Sequence, residues 1–296
     1  MGNRFYDREW RPAFEIERSD GEGFRSLTMR DAKKLKLYPS VTTYLDCAPK
    51  PALTNWLVGQ PLEYVWRNLI DGCVFTFNGL EEMNILLKGF SRDSMPHNIN
   101  KFDFVKWAKD GAEEEKAKAP RLGTKIHKII EKYSVWQFKN KAPTLIIDEE
   151  LKPWVKTFNE FFNDNKMKVG STEKRVGCHK YGYAGTVDFV GEFAGMQNCV
   201  IDYKTTKFKN GKPFYYFSWG CQIAAYAYAI ESAHRPGGIP FESLPTLVSV
   251  AIDSLDPKNI EYKIWEDKNE LMQGFLLCRD MWCSKFGPGK GWDPVK

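Results

Sequence analysis

The run Cys199-Val200-Ile201, leading into Asp202-Tyr203-Lys204, constrains the fold more than any other stretch of this chain. Its apolar residues do not alternate with polar ones, as in a strand buried on both faces. Such a strand needs a packed layer on each side. It also carries a carboxylate and an amine, and uncompensated buried charge is costly. Strand periodicity puts Asp202 and Lys204 on one face. Asp188 lies mid-strand in Gly185-Thr186-Val187-Asp188-Phe189-Val190. A hairpin turn through Gly191 to Asn198 is expected to bring its carboxylate beside that of Asp202. Two close carboxylates repel when ionised, and a divalent cation relieves this.

The surrounding pattern predicts strands over 172–178, 184–193, 199–203, 246–252 and 260–265. Helices are predicted at 122–133, where Leu122, Ile126, Ile129, Ile130 and Tyr133 recur at helical spacing, and at 151–163, 219–232 and 268–285. Further upstream, a hairpin is expected around Asp20-Gly21, an N-cap at Ser40, and helices over 53–70 and 102–118. The expected class is α+β (α/β-like), a central mixed sheet flanked by helices. Residues 121–296 are expected to form the core, with 1–120 a helical N-terminal elaboration of the same domain.

With 296 residues, 43% of them hydrophobic, the chain can bury a sizeable core. The formal charge of +5 is mild, so it permits a nucleic-acid partner without requiring one. Seven cysteines without a CxxC pair fit a reducing compartment. The first residues lack an apolar leader, and apolar runs such as 223–230 are too short to span a bilayer. A cytoplasmic protein with no membrane partner is expected.

An acid-x-Lys triplet alone carries little information. Asp31-x-Lys33, Glu150-x-Lys152, Asp164-x-Lys166 and Asp256-x-Lys258 read as solvated charges. Asp253 with Glu261-x-Lys263 is a stronger rival. The residues around Glu261 alternate, however, as on an exposed sheet face. Gly123, His127 and Glu131 are each four apart and share a helical face, as do Gln222 and Tyr226. Gly123 allows close approach to the sheet. Carboxylates with a single imidazole favour Mg²⁺ or Mn²⁺ over zinc.

Taken together, these motifs resemble the PD-(D/E)XK nuclease superfamily, in particular its RecB-like and lambda-exonuclease-like branch. Gly-x-x-x-His-x-x-x-Glu matches Gly123, His127 and Glu131. Gly-x-x-Asp matches Gly185 and Asp188. Asp-x-Lys matches Asp202 and Lys204, followed by Thr205-Thr206, and Gln-x-x-x-Tyr matches Gln222 and Tyr226. Glu173 fits a Glu common on the preceding strand. The resemblance covers residues 39–230 and implies an α-β-β-β-α-β core and metal-dependent DNA cleavage. It implies that His127, Asp188, Asp202 and the carbonyl of Tyr203 ligate the ion and that Lys204 handles the attacking water. Glu131 and Glu173 then fall outside the first ligand set or serve a second ion. Gln222 and Tyr226 contact phosphate or brace the strands.

Thr205, Thr206, Lys207, Lys209 and Lys212 are expected at the nucleic acid, since the last three are interleaved with aromatics. The implied activity is an exonuclease acting on free DNA ends, single- or double-stranded, in phage recombination or DNA processing. An annealing protein is an expected partner by analogy. An endonuclease and an inactive binding module are the alternatives. Relatives holding an iron–sulfur cluster use four cysteines. Here Cys47 is followed by only Cys278 and Cys283 after the fourth motif, so no cluster is expected.

Overall fold

The computed structural model describes residues 4–18, 20–47, 73–78, 82–87, 122–139, 144–233, 235 and 238–287. The chain divides into two compact units, one formed by 1–48 with 123–296 and the other by 49–122.

The larger unit is a mixed α+β structure built on a five-stranded sheet in the order β12-β11-β10-β9-β8. Its strands are β8 (Lys168–Cys178), β9 (Tyr183–Phe193), β10 (Met196–Thr206), β11 (Thr246–Asp253) and β12 (Ile260–Trp265). β10 and β11 run parallel, and the other neighbours are antiparallel. As its unalternating sequence predicts, β10 is central. Cys199 through Tyr203 are all buried.

Each face has a helical layer. On one side lie α3 (122–138) and α4 (Lys152–Asp164). There the Phe158 ring meets Tyr133 and Tyr203 edge-on, at 5.6 and 5.4 Å. On the other side lie α5 (Phe217–Ser232) and α6 (Lys268–Phe286). α5 buries Gly220 through Ala229 without a break. A helix apolar nearly all round suits a position between the sheet and α6.

The first forty-eight residues belong to this unit. Strands β1 (Phe5–Tyr6), β2 (Pro12–Ala13) and β5 (Tyr38–Pro39) form a small sheet. β3 (Glu15–Glu17) and β4 (Phe24–Ser26) make the hairpin expected around Asp20-Gly21. Helix α1 (Met29–Lys34) follows, then α2 (Val41–Leu45), capped by Ser40 as its sequence predicts. The Tyr44 hydroxyl donates to the Gly182 carbonyl at 2.8 Å, tying α2 to the β8–β9 turn.

The smaller unit holds an antiparallel hairpin of β6 (Cys73–Asn78) and β7 (Glu82–Leu87). Among the described residues, the segment expected to be a helical elaboration is thus mainly short strands. The strands β1 to β5 are two or three residues long, too short to display a period. The helices predicted over 53–70 and 102–118 lie outside the described residues.

Candidate metal centre

The ladder between β9 and β10 stops at Phe189↔Ile201. Beyond that pair the Asp188 carboxylate replaces a backbone partner, and its Oδ2 accepts the Tyr203 N–H at 2.8 Å. On β8, the pairs Thr172↔Phe189 and Lys174↔Val187 bracket Glu173 opposite Asp188. Glu173 has φ +48°, a left-handed conformation costing about 1–2 kcal/mol for a residue with a Cβ. Strict alternation would put Val187 and Phe189 on one face. Val187 instead joins the α5 cluster, while Phe189 pairs with Ile201, on the side of Tyr203. The strand turns over at Asp188, which places its carboxylate between the two helical layers.

From the α3 side come His127 and Glu131, whose Nε2 and Oε1 lie 2.6 Å apart. Ligand atoms of His127, Glu131 and Asp188 all fall within 4.8 Å of one another. From the α5 side comes a second cluster. Lys204 Nζ lies 2.6 Å from Asp202 Oδ2 and donates to Gln222 Oε1 at 3.1 Å. Gln222 Nε2 donates to Asp202 Oδ1 at 2.9 Å and to the Tyr226 hydroxyl at 3.1 Å. Asp202 Oδ2 is thus a buried oxygen whose partner is the Lys204 ammonium, an ion pair without a geometric hydrogen bond.

Electrostatics reflect this crowding. Burial, then the Asp202 charge, pushes the Asp188 carboxyl well above the usual carboxylate range. Burial acts to lower His127, but the Glu131 hydrogen bond and the Asp188, Glu131 and Asp202 charges override it, so the imidazole is raised. Desolvation and the Glu131 charge push Glu173 up to about 7, although its side chain is exposed and solvent screens part of this effect. These are signs of an anionic site holding extra protons. A hard cation with oxygen and imidazole ligands fits such a donor set, and the Asp202 carboxylate, ion-paired with Lys204, adds negative charge nearby. His127 and Glu131 keep 29% and 26% of their side chains exposed, so the site opens to solvent.

Most residues singled out from sequence converge here, with shifted roles. Glu131, expected outside the first ligand set, stands with His127 and Asp188. Asp202, expected beside them as a ligand, is engaged by Lys204 and Gln222. Tyr203 gives its N–H to Asp188, while its ring packs into the α3–α4 layer with its hydroxyl 3.2 Å from that of Ser134. Gln222 and Tyr226 are buried and brace the strands. Gly185 is needed for that bracing, because a Cβ there would sit 2.4 Å from the Tyr226 ring. Thr205 donates to the Gly123 carbonyl at 3.2 Å, pinning α3 to the end of β10. Thr206 accepts the Ser254 N–H at 2.9 Å through its carbonyl, and Lys207, Lys209 and Lys212 are exposed.

The rival pair behaves as its alternation implies. Glu261 is exposed on edge strand β12. Asp253 accepts from the N–H groups of Phe208 and Leu255 and the Asn259 amide, holding loops. Ser134 and Tyr6 were not foreseen. The Tyr6 hydroxyl lies 3.3 Å from that of Thr186 on β9. A lone polar residue in an apolar helix face was the one available hint for Ser134.

No known protein-family model matches the chain, and no curated protein does either. Among the described residues, no helix is long and apolar enough to cross a membrane.

Proposed function

We propose that this protein is a divalent-metal-dependent deoxyribonuclease with a PD-(D/E)XK core, acting as an exonuclease on free DNA ends in phage recombination or DNA processing. The observation that carries the reading is the convergence of His127, Glu131 and Asp188 beside Asp202 and Lys204, at the point where β9 and β10 part. Their order along the chain is that of the superfamily's motifs. Mg²⁺ or Mn²⁺ would be held by His127, Glu131 and Asp188, with Asp202 adjacent.

A bound divalent cation supplies charge neutralisation on phosphate and acidifies water. The protein's own groups do the rest. Lys204 keeps its ammonium at the rim of the cluster, 22% exposed, where it can meet the scissile phosphate. Gln222 holds both the Lys204 ammonium and the Asp202 carboxylate through its amide. Glu173, exposed and raised to about 7, is suited to trade a proton with the leaving oxygen or with water.

The test is digestion of end-labelled linear DNA, alongside a covalently closed circle, with Mg²⁺, Mn²⁺ or EDTA. The reading expects loss of linear DNA with either cation, none in EDTA, and an intact circle. Cleavage of the circle would make it an endonuclease. DNA untouched with every cation would overturn the assignment.

A further inference from the structure

We propose that the segment joining β10 to α5 is a stacking platform for an unpaired DNA strand, so that the substrate enters the site single-stranded at its end. This rests on the nuclease reading and specifies its substrate. The segment is anchored at both ends by the metal centre. It leaves β10 three residues after Lys204 and enters α5 five residues before Gln222. At strand and helix rises, each anchor lies within roughly 10 Å of the cluster along the chain.

Its side chains sort by depth in a way the sequence alone does not reveal. Phe208 turns inward and is 7% exposed. Phe214 and Tyr216 turn outward at 68% and 39%, whereas the Phe217 ring lies against Gly274 of α6. The Phe214 and Tyr216 rings meet at 4.8 Å, and Tyr216 reaches Trp219 at 5.3 Å, forming a continuous aromatic surface. Aromatic faces left in water beside a phosphodiesterase site suit bases that have left a duplex.

The lysines supply the charge. Lys209 and Lys212 exchange backbone hydrogen bonds of 2.9 and 3.1 Å across a two-residue turn. Asn210 and Gly211 both have positive φ, +53° and +75°, the requirement of a type I′ turn. The turn sets the two lysines directly opposite each other, where like charges repel. Among the described residues, neither they nor Lys207 form an ion pair with a carboxylate. A phosphate backbone relieves that repulsion. An anionic membrane surface would also attract lysines. The platform's attachment to the metal centre favours a polynucleotide.

The experiment is fluorescence anisotropy of a labelled oligo(dT) 12-mer in EDTA, with an abasic 12-mer and a blunt duplex as competitors. The oligo(dT) should bind at least tenfold more tightly than the abasic strand. A Phe214→Ala/Tyr216→Ala variant should erase that preference and leave abasic-strand affinity within twofold. Phe214→Leu, which keeps apolar area but not the ring, should lose part of it. Lys209→Gln/Lys212→Gln should weaken both strands and reduce the log–log salt slope by about 1.4. Equal affinity for oligo(dT) and the abasic strand overturns the proposal. So does a preference unchanged in the double aromatic variant, or binding to phosphatidylserine vesicles but not to oligo(dT). Binding is read without cleavage. A strand that is bound through its bases but never cut refutes the nuclease reading alone. Cutting without base preference refutes the platform alone.

Discussion

Replacing Gln222 by leucine strips three hydrogen bonds from a buried cluster. Gln222 is 8% exposed, and its amide gives one bond to the Asp202 carboxylate, gives one to the Tyr226 hydroxyl and takes one from Lys204. The charge-assisted bond to Asp202 is worth about 1.5–3 kcal/mol, and leaving a buried hydroxyl unpaired costs about 1–3 kcal/mol. Lys204 keeps Asp202 as a partner and adds little. The sum, allowing for non-additivity within one network, is about 3–5 kcal/mol. For a unit of this size that lowers the melting midpoint by about 6–20 °C. Urea unfolding and thermal melting of the full chain in EDTA would measure it. Gln273→Leu on the exposed side of α6 is the control and should stay within about 0.5 kcal/mol. A Gln222→Leu loss below about 1 kcal/mol would refute the idea that this amide organises the site.

Gly185→Ala drives a methyl into the Tyr226 ring and should cost about 1–3 kcal/mol; an unchanged melting midpoint would contradict the packing. Without metal, Asp188, Glu173 and His127 all hold protons more tightly folded than unfolded. Their stabilisation is present at low pH and is lost as pH rises: from the ordinary carboxylate range upward for Asp188, through about 7 for Glu173, and above the ordinary imidazole value for His127. In EDTA the midpoint should therefore fall between about pH 5 and pH 8. The gain from added Mg²⁺ or Mn²⁺ should grow over the same range, because binding expels those protons. A flat, cation-independent profile would count against the site. Asp202→Ala should abolish cleavage while DNA binding persists, and Glu261→Ala should leave cleavage at the wild-type rate; the reverse result would move the site to β12.

How much of this was legible depended on the kind of signal. β10 could be read because burial on both faces suppresses alternation, and α3 because Ile126, Ile129, Ile130 and Tyr133 recur at 3.6-residue spacing. The strands of the first forty residues could not, being two or three residues long. The reversal at Asp188 was hidden for another reason. It depends on Glu173 adopting a positive φ, which tertiary contacts impose and no residue type announces. Glu131 was legible as a partner of His127 by its i, i+4 spacing. Its standing with Asp188 depends on how far α3 slides along the sheet, which the Thr205–Gly123 bond fixes. The same limit applies to the lysine-rich segment. Its composition is plain, but the turn at Asn210-Gly211 and the packing of Phe208 decide which rings face water.

The most direct measurement is a crystal soaked in Mn²⁺, with anomalous scattering recorded at the manganese edge. A peak within bonding distance of the His127 imidazole and the Glu131 and Asp188 carboxylates is the predicted result. A map with no peak there, or with manganese bound elsewhere while those three side chains keep their ion-free contacts, would contradict it.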